Sequence, residues 1–289
     1  MGSCHRLVRG VGTVTDVIEI TQDVPLERPV VVVALSGWVD AGSAGEAAAR
    51  YLAEHAQGST EIGRVDLSEY ADLQATRPMI ELIDGVTRKV VWPSIVFTAG
   101  RAGTDVVVCH GPEPSVRWPR LAAETVKLAQ DRDARMLVTL GGMPAPVSHR
   151  RPVKVLATAG TRSLAQELSP LRVDYAGPTG AQTVIQFAAA EAGLPAVGLW
   201  AQVPHYLSGT VSPAATRSLL ARLREVAGVD IDLVPLDRET AAYQRQVEET
   251  VEARSDIAEL VARLDAQPDE LPDGDNLVSE IEEFLRGEG

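Results

Sequence analysis

The spacing of apolar positions changes period several times along the chain, and each change marks an element. Residues 30–35 (VVVVAL) form an unbroken, mostly β-branched run. That pattern predicts a strand buried on both faces. Ser36-Gly37 ends the run, and a helical period follows in Ala47, Ala48, Tyr51 and Leu52. Ser43 stands where an N-cap is needed and Glu46 lies three residues on, the spacing of a capping box. Strand, Gly-rich turn and helix together open a βα unit. Residues 60–110 read differently, as short β-branched runs at 60–67, 79–83, 86–92, 95–98 and 105–109. Asp84-Gly85 is a hairpin turn signal, so an antiparallel excursion is predicted before the chain returns to a central strand at 106–109.

Alternation then resumes. A helix is predicted over 119–132 with Pro119 in its first turn, then a buried strand over 136–140 ended by Gly141-Gly142, and a further strand over 153–157. Thr179 and Gln182 have capping-box spacing and open a helix that Gly193 and Pro195 stop. A strand over 196–203 and a helix over 213–226 capped by Ser212 follow. From Asp237 the pattern becomes one long helix striped by Tyr243, Val247, Ile257, Val261 and Leu264, broken at Pro268 and Pro272, with a last short helix over 276–286. The chain therefore reads as an α/β protein. A core domain over 1–235 has a mainly parallel sheet (30–35, 106–109, 136–140, 196–203) with helices on both faces, and 236–289 forms a helical extension.

Charge sharpens this division. The net charge is −13, but residues 236–289 carry 16 acidic and 5 basic side chains against 24 and 22 in residues 1–235. The body is close to neutral and the extension is strongly acidic. No basic stripe suited to nucleic acid is present, and an acidic tail is repelled by anionic membranes. No apolar run approaches the length of a membrane span, and the N-terminus lacks the apolar region of a leader. Cys4 and Cys109 are the only cysteines, too few for a disulfide framework. A cytoplasmic location is expected.

Complete catalytic motifs are missing. The turn from Ser36 to Ser43 joins a buried strand to a helix N-terminus, where open α/β sheets bind ligands. Its spacing fits neither a dinucleotide fingerprint nor a phosphate loop, and Asp40 would repel a phosphate. Ala41-Gly42-Ser43-Ala44-Gly45 falls one residue short of a nucleophile elbow. Cys4-His5 and Cys109-His110 lack metal-ligand spacing, and neighbours on a strand point to opposite faces. No metal and no cofactor are expected. The loops that follow the strands do bring polar residues to one sheet edge: Asp40, Glu113, Arg117, His149, Arg151, Tyr175 and His205. This rim is a candidate ligand pocket or interaction surface.

The same loops carry a resemblance. Leu35-Ser36-Gly37-Trp38-Val39-Asp40-Ala41-Gly42, His110-Gly111-Pro112-Glu113-Pro114 with Trp118, and Leu140-Gly141-Gly142 followed by His149, Arg151 and Pro152 occur in order. They are followed by Tyr175-Ala176-Gly177-Pro178-Thr179-Gly180, Pro204-His205-Tyr206 and Leu271-Pro272-Asp273-Gly274-Asp275. This set resembles the proteasome assembly chaperone 2 family, in its actinobacterial branch, and the scarcity of lysine beside arginine is similar to proteins of GC-rich actinobacteria. The resemblance implies a three-layer α/β/α fold of the phosphorylase type and proteasome subunits as partners. Some relatives end in a hydrophobic-Tyr-any tripeptide that docks on the proteasome; Leu285-Arg286-Gly287-Glu288-Gly289 does not match it. The expected function is a non-catalytic, chaperone-like interaction protein that forms a homo-oligomer, with a trimer as the expected assembly. The alternative is an enzyme or a small-molecule, nucleoside-like binding protein that uses the rim as a polar pocket.

Overall fold

The computed structural model describes residues 17–168 and 175–266. Cys4-His5, the breaks at Pro268 and Pro272, the 271–275 motif and the 276–286 helix lie outside the described residues. Ten strands and seven α-helices are described. They are β1 (Glu19–Ile20), β2 (Val30–Ser36), α1 (Ala44–His55), β3 (Gln57–Asp66), β4 (Met79–Ile83), β5 (Val86–Val91), β6 (Ser94–Ala102), β7 (Thr104–Pro112), α2 (Trp118–Asp131), β8 (Met136–Ala145), β9 (Val155–Ala159), α3 (Arg162–Leu168), α4 (Ala181–Glu191), β10 (Ala196–Pro204), α5 (Pro213–Ala227), α6 (Val234–Glu252) and α7 (Ser255–Ala266).

Eight strands form one sheet in the order β1-β3-β6-β7-β2-β8-β10-β9. Its centre, β7-β2-β8-β10, is parallel throughout. These are the four strands that apolar runs mark in the sequence. β6, β3 and β1 extend one side antiparallel, and β9 closes the other side antiparallel to β10. Alternate residues of β2 enter two separate cores. Val30, Val32 and Ala34 pack with Ala48 and Leu52 of α1 and Leu219 and Leu223 of α5. Val31, Val33 and Leu35 pack with Leu121 of α2 and Ile185 of α4. An apolar residue at every position is what a strand between two helical layers requires. The result is a three-layer α/β/α sandwich.

Three local expectations are corrected. Ser43 stands at the N-cap of α1 but at φ 46 and without a side-chain cap bond, and Asp40 accepts the amides in place of its hydroxyl. Thr179 does not cap α4 either: Gly180 is its N-cap, and Gln182 is fully buried. The long tail helix is two helices, broken at Ala253 and Arg254, with an Arg254–Asp256 ion pair of 2.6 Å at the start of the second. The reversal folds Val261 back onto Val247 and Val251, a contact a single continuous helix could not make. Tyr206, Leu207, Tyr243 and Ile257 pack around these three valines. The first turn of α6 is rooted in the body, because Leu236 is buried in the core beneath α5.

Candidate functional site

The C-terminal edge of the parallel strands is filled by the protein's own backbone. After β2, residues 37–40 lie across the crevice, and Asp40 forms a parallel bridge with Gly142 at the end of β8. The Gly142 amide donates to Val39 O at 3.2 Å. A Cβ on Gly142 would fall 2.1 Å from Ala41 O, so only glycine allows this approach. Asp40 is buried, and its carboxylate accepts the Gly45 amide at 2.6 Å and the Glu46 amide at 3.4 Å. It therefore takes up the free amides of α1 that would otherwise suit an anionic ligand. Burial pushes its carboxyl up to about 7, although the two amides pull it down.

Two more rim residues are placed at helix starts. Glu113 accepts the Ala181 amide at 2.6 Å and so caps α4 from the β7–α2 loop. Arg117 precedes α2 at φ 64, donates to Glu69 at 3.3 Å and lies 5.4 Å over the Tyr70 ring. Tyr175 is exposed, and its hydroxyl donates to Pro178 O at 2.7 Å. His205 holds Ala145 O at 3.3 Å across the ends of β8 and β10. Cys109 is fully buried, which pushes its thiol far up, whereas His110 on the opposite face lies 3.8 Å from Glu46. Among the described residues no group of three or more His, Cys, Asp or Glu could hold a metal ion.

His149 and Arg151 are the two rim residues that come together. Both lie in the β8–β9 loop, under the tail helices. The Tyr206 hydroxyl accepts the His149 amide at 2.9 Å and lies 2.7 Å from His149 Nδ1; His149 Nε2 lies 3.1 Å from Glu248 Oε1 on α6. Arg150 grips Glu248 with Nε at 2.7 Å and one terminal nitrogen at 2.9 Å, and reaches Asp265 on α7 at 2.9 Å with the other. Arg151 donates to Asp265 O at 2.8 Å. Burial drives the His149 ring down from its ordinary value, against the pull of Glu248. Arg150 holds Glu248 below the usual carboxylate range, and a hydrogen bond from Ser148 does the same for Asp265.

Beside this cluster lies a small, partly open cavity of about 30 Å³. It is lined by His149, Arg151, Gln202, Ser212 and Tyr243, among others. That volume suits one or two waters. Gln202 Nε2 and Tyr243 Oη are buried without a hydrogen-bond partner, so polar atoms line it that water would satisfy. Next to it an open groove of about 600 Å³ runs between the loop, α5 and α6. Arg150, Tyr206, Glu248 and Asp265 carry this region and are absent from the rim read from sequence. Glu248 and Asp265 lie about a hundred residues from their partners, and no local spacing signals such a pairing.

The most exposed apolar surface lies elsewhere, on the β4–β5 hairpin. Each of its strand residues is exposed on both faces. Met79 is 70% exposed, Ile80 59% and Leu82 58%, and Ile83, Val86, Val90, Val91 and Trp92 are close to half exposed. The register pairs Ile80 with Val90 and Met79 with Val91, so each face carries apolar side chains. The turn matches the sequence signal, with Asp84 at φ 50 and Gly85 at φ 76. The local pattern of these two strands does not mark them as exposed; their exposure comes from the lack, among the described residues, of a layer packed on either face.

Comparison with known proteins fits this architecture. The chain superposes on a Mycobacterium tuberculosis protein of unknown function, Rv2714, with TM-score 0.84 and 26% identity over 97% of this chain and 99% of that one. It superposes on a Mycobacterium tuberculosis proteasome-assembly chaperone homologue, Rv2125, with TM-score 0.74 and 36% identity over 80% of this chain and 99% of that one. A PAC2 family protein from Streptomyces avermitilis gives TM-score 0.73 and 35% identity over 81% and 99%. No curated protein matches the sequence. The PAC2 family profile matches residues 34–251, from the middle of β2 to the end of α6, and the chain belongs to the PAC2 family.

Proposed function

We propose that this protein is a non-catalytic interaction protein of the proteasome-assembly-chaperone kind, and that the β4–β5 hairpin is its main contact surface. The observation that carries the reading is the exposure of Met79, Ile80, Leu82, Ile83, Val86, Val90, Val91 and Trp92 on one projecting hairpin. Apolar patches beyond a few hundred Å² mark sites of association in soluble proteins. A lone two-stranded hairpin is also marginal in water, and gains stability when a partner covers it. Just past the hairpin the chain is held to the body: the Leu67 amide donates to Pro93 O at 3.0 Å.

The first occupant is another copy of the chain, in a closed homo-oligomer for which a trimer is the expected order. Proteasome subunits are the second partner, because a relative 36% identical is a proteasome-assembly chaperone homologue. A cytoplasmic location goes with such a partner. No helix among the described residues is long and apolar enough to cross a membrane. Light scattering should give a mass that is a multiple of the chain mass, and an Ile80→Glu/Val90→Glu double variant should run as a folded monomer. A monomeric wild type over a wide concentration range, or an unchanged mass in the variant, overturns the hairpin assignment. Failure of purified proteasome α-subunits to co-elute with the wild type overturns the choice of partner and leaves self-assembly standing.

The small-molecule reading is supported by the His149–Arg151 loop beside the open groove. The small cavity beside it has room for water rather than for a nucleoside. A metabolite that raises the melting temperature of the wild type but not of Arg151→Ala would make this reading the better one.

A further inference from the structure

The two faces of the β4–β5 hairpin are not equivalent. Side chains alternate along each strand, and residues opposite one another in the register share a face. Ile80 pairs with Val90 and Leu82 with Thr87, which places these four on one face. Glu81 pairs with Lys89 on the other face, between Met79–Val91 at the open end and Ile83–Val86 beside the turn. Arg88 is the extra residue where the register shifts between Glu81 and Leu82, and it has no partner in the register. The paired positions of the Ile80 face thus form a continuous apolar surface ending in a threonine, whereas two charged residues divide the Met79 face at its middle. Resting on the reading of the hairpin as the contact between copies, we propose that the hairpins of a closed homo-oligomer meet through the Ile80 face alone. This face turns toward the symmetry axis, and the Met79 face turns away from it.

Symmetry and charge together choose the face. In a closed assembly each residue near the axis lies beside its own copies. An ionised side chain placed there meets the same charge where water is excluded, and the repulsion is far stronger than at an exposed site. Glu81 and Lys89 both bring this cost to any arrangement that puts the Met79 face at the axis. The paired positions of the Ile80 face bring none. Ile80, Leu82 and Val90 are all exposed in the single chain, so each gains when its symmetry mates cover it. On the outward face Glu81 and Lys89 keep their water.

The same electrostatics favours a second copy at the hairpin. Copies of a chain with net charge −13 repel one another. Residues 77–92 depart from that balance: Arg77, Arg88 and Lys89 stand against Glu81 and Asp84, a sum of +1. Bringing hairpins together therefore sets only a small like charge against itself, while the apolar face supplies the attraction.

Cysteine cross-linking of the full chain tests the choice of face. In a Cys4→Ser background, Leu82→Cys and Ile83→Cys differ by one position and lie on opposite faces. Cys109 is buried and does not compete. Light scattering first gives the mass of each sample, and a short bismaleimide is then added. Leu82→Cys should convert most of the chain to a covalent dimer on a denaturing gel, and Ile83→Cys should leave most of it as single chains. Dimer from Ile83→Cys alone, equal amounts from both, or none from either in samples that scatter as oligomers overturns the proposal and leaves self-assembly standing. A monomeric mass before cross-linking removes the reading of the hairpin as a contact between copies, and this proposal with it.

Discussion

Asp40 shows how burial alters a residue that looks like an ordinary capping acid. It accepts two amides of α1, a role that favours the carboxylate, but it does so almost out of contact with water. Burial wins and pushes the carboxyl up to about 7. A folded-state value above the unfolded 3.8 means that the native state keeps a proton that the unfolded chain has lost. The stability this supplies is full at acid pH and is lost as pH rises through about 7. Asp40→Asn cannot ionise, so its stability relative to the wild type should grow from pH 5 to pH 8, by on the order of 2–3 kcal/mol. Denaturant melts at the two values measure this, and a flat difference would show that the amides keep Asp40 charged throughout. Glu113 makes a parallel point: a rim acid that suggested ligand chemistry is taken up as the cap of α4.

Helix α1 is set by how near its backbone comes to β8. Ala44, Ala48, Ala49 and Leu52 supply its buried face, mostly through side chains of a single carbon. At Gly45 even that carbon is too much, because a Cβ would lie 2.3 Å from Leu140 O. Gly45→Ala should therefore cost about 3 kcal/mol, the upper end for overpacking. Gly209→Ala, where a Cβ meets nothing within 4 Å, should change stability by less than about 0.5 kcal/mol. Thermal melts of the pair compare them directly, and equal effects would refute the close approach of α1 to the sheet. The β4–β5 hairpin is the opposite kind of element, with almost nothing of the body packed on it. Its apolar residues matter for association rather than for the stability of the single chain.

At the scale of the whole molecule, the division at about residue 235 is read as a body with an attached tail. Truncation before Asp237 keeps Leu236, which belongs to the body core, and removes Val247, Val251 and Val261. The shortened chain should stay soluble and unfold cooperatively, with a melting temperature lower by several degrees, since a small apolar cluster accounts for only a few kcal/mol. Its Tyr206 and Leu207 should become exposed to exchange. Insoluble or unfolded protein would show that the tail is an integral part of the core.

The local apolar pattern was enough to read the framework. An unbroken run such as residues 30–35 can be satisfied only between two apolar layers, and four such runs joined by helices fix a mainly parallel sheet. Asp84-Gly85 likewise determined its own turn, because the backbone there needs positive φ. The rim was legible as a set of loops on one sheet edge, but not as a site. Which loop residues meet depends on contacts across many positions. The Asp40 carboxylate, not the hydroxyl of the N-cap residue Ser43, takes the first amides of α1, because the turn carries it over the helix start. The tail helix breaks at Ala253, which lets Val261 reach Val247 and Val251. His149 acquires its significance from Tyr206 and from Glu248, 99 positions away in sequence. Secondary structure and layering follow from interactions among near neighbours, which a sequence displays; the cluster beneath the tail depends on pairs of polar groups that only the folded chain brings into contact and shields from water.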